Sequence, residues 1–192
     1  MDHPAIGRSW VNTVILLLAT CVVVFLEAAW TLPGRLLGAQ VDLLPVLVVY
    51  AALAAGPVTT ALVALLGGLG FDCLSTNPLG ISVLPLAAVG WLIFQAKHSL
   101  LHDQRFAQLM LGLAASAACP LLNILILETI GEEPLLNWGS LWQWLVMAFM
   151  GALLTPVCFA ALDGLQSLVT YQVKHEPSFR SDREIKRGRF TA

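Results

Sequence analysis

The chain has 192 residues, of which 58% are hydrophobic and only 11% are charged, and its mean hydropathy is +0.80. An average soluble domain has about 25% charged residues, so this composition excludes a water-soluble globular fold and indicates an integral membrane protein. The formal net charge of -2 excludes a strongly basic surface for nucleic acid.

Six segments are predicted to be transmembrane helices, because a helix needs about 20 mostly apolar residues to cross a bilayer. They lie near residues 10–31, 37–55, 57–75, 79–97, 106–127 and 141–169. The second and third segments share one uncharged stretch, which the turn-forming dipeptide Gly56-Pro57 interrupts. We therefore predict an all-α membrane bundle over residues 1–170, with a tight helical hairpin at this dipeptide. A basic cytoplasmic tail is expected over residues 171–192.

The basic residues predict the orientation of the bundle, because lysine and arginine near the ends of spans are retained on the cytoplasmic side. With the N-terminus inside, Arg35 is the only one of the ten basic residues that falls outside. The acids Glu128, Glu132 and Glu133 also collect outside, before the sixth segment. Both termini are therefore expected in the cytoplasm.

Tryptophans favour the headgroup region, and Trp10 and Trp30 lie at the two ends of the first segment, as this orientation requires. Trp91 lies nearer the middle of the fourth segment. We expect Trp91 to pack inside the bundle.

Two aspartates, Asp42 and Asp72, lie on opposite arms of the predicted hairpin. Each is about 15 residues from the turn, or roughly 20 Å at 1.5 Å per residue, so both are expected at similar depth near the outer side. Glu27 on the first segment reaches a comparable level. A carboxylate at such depth is costly and indicates a functional site or a partner contact. Local thinning or water that accommodates each acid is the alternative, and an intramembrane aspartyl pair also stays open.

The segment that joins the third and fourth spans is rich in residues that set turns, including Asp72, Ser75, Pro78 and Gly80. Non-helical backbone at membrane depth must be buried in protein or wet. The chain has no motif typical of a nucleotide-binding loop, a zinc protease or a serine hydrolase. We therefore expect no catalytic residue, no metal and no cofactor.

One set of residues covers these turns and matches a known pattern: Asp42-Leu43-Leu44, Gly56-Pro57, Gly68, Asp72, Ser75 and Pro78-Leu79-Gly80. This set resembles the signature of the rod shape-determining protein MreD family, mainly over residues 42–97. Departures from the family pattern are Val41 in place of a proline, the additional Pro45, and residues 76–77 in place of a glycine pair.

The resemblance implies a scaffold of the bacterial inner membrane that serves peptidoglycan synthesis in lateral wall elongation and has no chemistry of its own. Its implied partners are an MreC-like bitopic protein and, indirectly, MreB, RodA and a penicillin-binding transpeptidase, without nucleic acid. The residues of the signature are then candidates for a partner contact or a structural junction.

The alternative function is the substrate-binding S component of a vitamin transporter, which resembles this family in size and six-span architecture. Such a protein needs a stripe of small residues on its first helix for its coupling partner. The first segment here is instead rich in Val, Ile and Leu, which counts against that function.

Overall fold

The structure, a computed structural model, describes residues 4–29, 38–75, 78–97, 105–131 and 137–171. These residues form six helices and no strand: α1 (Pro4–Ala29), α2 (Leu44–Ala54), α3 (Pro57–Leu74), α4 (Val83–Ala96), α5 (Arg105–Ile130) and α6 (Trp138–Tyr171). Four of the helices, α1, α3, α5 and α6, are long and apolar enough to cross a membrane. The predicted all-α membrane bundle is confirmed, while the cytoplasmic position of the termini stays a prediction. The tail beyond Tyr171 lies outside the described residues.

The helices α2 and α4 are shorter than predicted, since they begin at Leu44 and Val83 and contain 11 and 14 residues. At 1.5 Å per residue they are roughly 17 and 21 Å long, less than the about 30 Å of a hydrocarbon core. The prediction of full-length helices from residues 37 and 79 is wrong. Pro45 in the first turn of α2 disfavours helix before it, and Gly80, at φ +92°, forms the turn that precedes α4.

The short helix α2 is the centre of the bundle. It contacts each of the other five helices, and nine of its eleven residues are buried. It is apolar on all sides, as expected for a helix surrounded by protein. The longer helices therefore form a shell around a short core helix, and α1 exposes apolar residues such as Leu18 and Phe25 on its outer face.

The predicted hairpin between the second and third segments is confirmed. The helix α2 ends at Ala54 and α3 begins at Pro57, so only two residues connect them. Gly56 has φ +114°, a conformation that favours glycine, and proline is preorganised for the first helical position. The helix α2 has 11 residues and α3 has 18, so α2 is shorter by roughly 10 Å. The non-helical residues 38–43 continue the chain beyond the beginning of α2.

The helices α5 and α6 approach each other through two reciprocal pairs of small residues. A Cβ atom on Gly112 would overlap Thr155 Oγ1, and one on Gly151 would overlap Ser116 Oγ. Each glycine thus receives a hydroxyl-bearing side chain from the opposite helix. Small residues of this kind allow membrane helices to pack closely.

The prediction that Trp91 packs inside the bundle is wrong, because its side chain is 57% exposed. The buried face of α4 is formed instead by residues such as Leu86, Val89 and Ile93. Trp91 therefore contributes to the outer surface of the protein.

Candidate functional site

The connection between α3 and α4 is the centre of the candidate site. We define the outer junction as Gly68, Asp72 and Ser75 of the α3 region together with residues 78–83. It contains most of the residues that the sequence singled out. The term "outer" follows the predicted orientation.

Asp72 fixes the backbone of the outer junction. Its side chain is only 2% exposed, and its Oδ2 atom accepts hydrogen bonds from the backbone N–H groups of Gly80 at 2.8 Å and Ser82 at 3.2 Å. The last turn of α3 is thereby tied to the residues directly before α4. Two further atoms here, Asp72 Oδ1 and Ser82 Oγ, are buried without a hydrogen-bond partner among the described residues.

Gly68 allows this contact to form. It lies four residues before Asp72 and therefore on the same face of α3. A Cβ atom at Gly68 would lie 2.8 Å from both the Cα and the backbone N of Val83, closer than packed atoms can approach. The missing side chain lets α4 begin close enough to α3 for its preceding backbone to reach the Asp72 carboxylate.

The tip of the outer junction presents apolar side chains. Leu79 is 69% exposed, and Leu74 and Leu84 on the adjoining helix ends are each 61% exposed. Gly80 has φ +92° and open space around its Cα, so its requirement for glycine is conformational. The exposed Pro78 completes the turn. A fixed backbone thus carries an exposed leucine at its tip.

Ser75 ends α3. Its backbone N–H donates to Phe71 O at 2.9 Å, and its Oγ donates to Asp72 O at 3.5 Å. These contacts give it a structural role at the helix end.

Asp42 lies with Glu27 at the beginning of α2. The N–H of Leu43 donates to Glu27 Oε1 at 2.5 Å, and the N–H of Leu44 donates to Asp42 Oδ1 at 2.9 Å. The two carboxyl groups also interact with each other. Acidic groups at this position are favoured because the first N–H groups of a helix lack partners and its dipole is positive there.

Two of the acids, Glu27 and Asp72, therefore have a common role in this structure. Each short helix begins within the bundle, and a carboxylate from a neighbouring long helix accepts hydrogen bonds from the backbone at that beginning. Glu27 of α1 does this for α2, and Asp72 of α3 does it for α4. Asp42 and Asp72 bond to different segments, so the structure gives no support to the alternative of a catalytic aspartyl pair.

The signature residues separate into two groups. Gly56 and Pro57 lie at the opposite end of α3 from Asp72, roughly 22 Å away along the helix axis. They form the hairpin turn and do not belong to the outer junction. Among the described residues no cluster of three or more His, Cys, Asp or Glu side chains is suited to bind a metal.

Sequence reasoning missed one polar contact in the core. Tyr50 of α2 is 1% exposed, and its hydroxyl donates to Asp163 Oδ1 of α6 at 2.6 Å. Its ring also packs edge-on against Phe159, with centroids 4.9 Å apart. The signal that could have found this contact is the single acid of the sixth segment. This contact joins the core helix to the last helix.

Comparison with known proteins gives one match. The model of a family described as rod shape-determining protein MreD matches residues 8–172, which is most of the chain. Neither a search of curated proteins nor a search of solved structures found a match.

Proposed function

Because the chain belongs to the rod shape-determining protein MreD family, we propose that it is a non-catalytic scaffold of the bacterial cell-wall elongation complex. Membership of the family gives it a role in rod-shape determination. The proposal adds a location in the inner membrane and a direct partner, an MreC-like bitopic protein. Through that partner it would associate with MreB, RodA and a penicillin-binding transpeptidase.

The observation that carries the proposal is the outer junction, where a fixed turn exposes Leu79. Exposed apolar side chains on rigid backbone are suited to protein contacts, because little conformational freedom is lost on binding. Two further exposed leucines, Leu74 and Leu84, extend the surface around it. We assign this surface to the MreC-like partner, whose span or ectodomain would reach it from the outer side.

The chemistry of the described residues favours a scaffold over an enzyme. Glu27 and Asp72 each accept hydrogen bonds from backbone N–H groups through one carboxyl oxygen, and those oxygens hold the beginnings of the short helices. The outer junction thus serves to fix the shape of a surface.

The proposal is tested by purifying the tagged protein from its native membrane in mild detergent and identifying the co-purified proteins by mass spectrometry. Recovery of an MreC-like protein together with RodA or a transpeptidase is expected. Leu79→Ala should lower that recovery about tenfold, since truncating a central apolar anchor typically costs more than 1 kcal/mol. Leu92→Ala is the matched control, because Leu92 is similarly exposed, at 64%, but lies within α4.

Equal recovery from the Leu79→Ala and Leu92→Ala variants would exclude the outer junction as the contact surface. Recovery of an ATPase pair with a coupling membrane subunit, in place of the elongation proteins, would overturn the scaffold role. The protein would then be the binding component of a transporter.

A further inference from the structure

A groove of about 240 Å³ lies between α3 and α4, at the end of these helices that is opposite to the outer junction. We call it the inner groove and define it by Pro57, Ala61, Ala87, Gly90, Trp91 and Phe94. It is a different surface from the one assigned to the partner above, so the two can be tested separately.

The lining of the inner groove is suited to hydrocarbon. The small residues Ala61 and Ala87 leave the space between the two helices, and Trp91 and Phe94 form an aromatic wall. Gly90 closes the floor of the groove, where α4 packs tightly against Thr60 and Val48. Thr60 also borders the groove, but its hydroxyl already donates to the carbonyl of Gly56 at 2.8 Å. The groove therefore offers mainly apolar surface to an occupant.

A positive charge lies beside the wall of the groove. The Lys97 ammonium is 4.9 Å from the centroid of the Phe94 ring, one turn beyond the aromatic wall. In the predicted orientation Lys97 faces the cytoplasmic leaflet, whose anionic lipids attract basic residues near the membrane surface. An occupant with an apolar chain and an anionic head complements both features.

We propose that the inner groove binds one acyl chain of an anionic phospholipid and that Lys97 binds the phosphate of its headgroup. The charge beside the groove favours this occupant over a helix from another protein, because Lys97 adjoins the apolar surface near the predicted cytoplasmic side. An anionic phospholipid supplies the apolar chain and the negative charge in one molecule.

The test uses the full-length protein in nanodiscs and native mass spectrometry to count retained phosphatidylglycerol and phosphatidylcholine. We expect about a fivefold preference for phosphatidylglycerol, the factor that corresponds to about 1 kcal/mol for one basic residue. Lys97→Gln should lower the preference about fivefold relative to the unmodified protein, whereas Lys97→Arg should keep it.

Ala87→Leu should fill the groove and remove the retained lipid. Ala88→Leu is its matched control, because the neighbouring Ala88 is exposed but does not line the groove. Ala61→Leu fills the groove from α3 and provides a second test if the Ala87 variant does not fold.

Three results would overturn the proposal. One is equal lipid retention by the Ala87→Leu and Ala88→Leu proteins, and another is the absence of a preference for phosphatidylglycerol in the unmodified protein. The third is capture of a polypeptide, from a partner or a second copy, by a photo-crosslinker placed at Ala61. Capture of phospholipid at that position supports the proposal.

Discussion

Replacing Gly68 by alanine tests the close contact on which the outer junction depends. The added Cβ atom would lie 2.8 Å from the Cα and the backbone N of Val83. Backbone atoms cannot rotate away as a side chain can, so α4 has to move away from α3. That movement also lengthens the hydrogen bonds from Gly80 and Ser82 to Asp72.

The magnitude follows from three contributions to the free energy of unfolding. Overpacking costs about 1–3 kcal/mol, and loss of one hydrogen bond to a charged acceptor costs about 1.5–3 kcal/mol. The higher helix propensity of alanine returns about 1 kcal/mol. Gly68→Ala is therefore expected to destabilise the protein by about 1.5–5 kcal/mol.

The assay is unfolding by sodium dodecyl sulfate in mixed micelles, followed by tryptophan fluorescence. Gly164→Ala is the control, because Gly164 lies within α6 with no atom near its Cβ position, and alanine there should stabilise slightly. Adding Val83→Ala to Gly68→Ala should not restore stability, since the clash includes backbone. If Gly68→Ala were as stable as Gly164→Ala, the reasoning about the junction would be refuted.

Substitutions at three further positions test individual contacts by the same unfolding assay. Asp72→Ala should cost about 2–6 kcal/mol, because the buried N–H groups of Gly80 and Ser82 lose their acceptor, whereas Asp72→Asn keeps one acceptor and should cost less; equal losses would contradict this role. Gly80→Val should cost about 1–3 kcal/mol through its positive φ, and Gly80→Ala nearly as much because the space is open; an unchanged Gly80→Ala protein would argue against strain. Gly151→Ala should cost about 1–3 kcal/mol by overpacking, and adding Ser116→Gly should recover most of it, so simply additive losses would disprove the reciprocal packing.

The sequence predicted the helices better than it predicted their lengths. The hairpin followed from Gly56-Pro57, because that dipeptide interrupts an otherwise continuous apolar run. The beginning of α2 was not predicted, because the length of about 20 residues expected for a span extended the segment across Gln40 and Asp42. The same expected length placed residues 79–82 in the fourth span, although Pro78 and Gly80 indicated a turn there.

The candidate site was predicted in its residues but not in its contacts. The depth of Asp72 and the neighbouring turn residues indicated a structured junction. The acceptor role of Asp72 depends on the approach of α4 that Gly68 permits, which is a tertiary contact. The hydrogen bond from Leu43 to Glu27 joins residues 16 positions apart, on either side of the end of α1. No local sequence pattern indicates such a bond. The position of Trp91 near the middle of its span predicted burial. That prediction is wrong because depth along a span does not specify which face of the helix is buried.

The small size of α2 has a consequence for biogenesis. An apolar helix of eleven residues is too short to be inserted as an independent span, for which about 20 residues are needed. The two-residue turn to α3 couples it to an 18-residue helix that is long enough. We therefore expect the two helices to enter the lipid together during synthesis. The core helix α2 can then be inserted only after the whole of α3 has been synthesised.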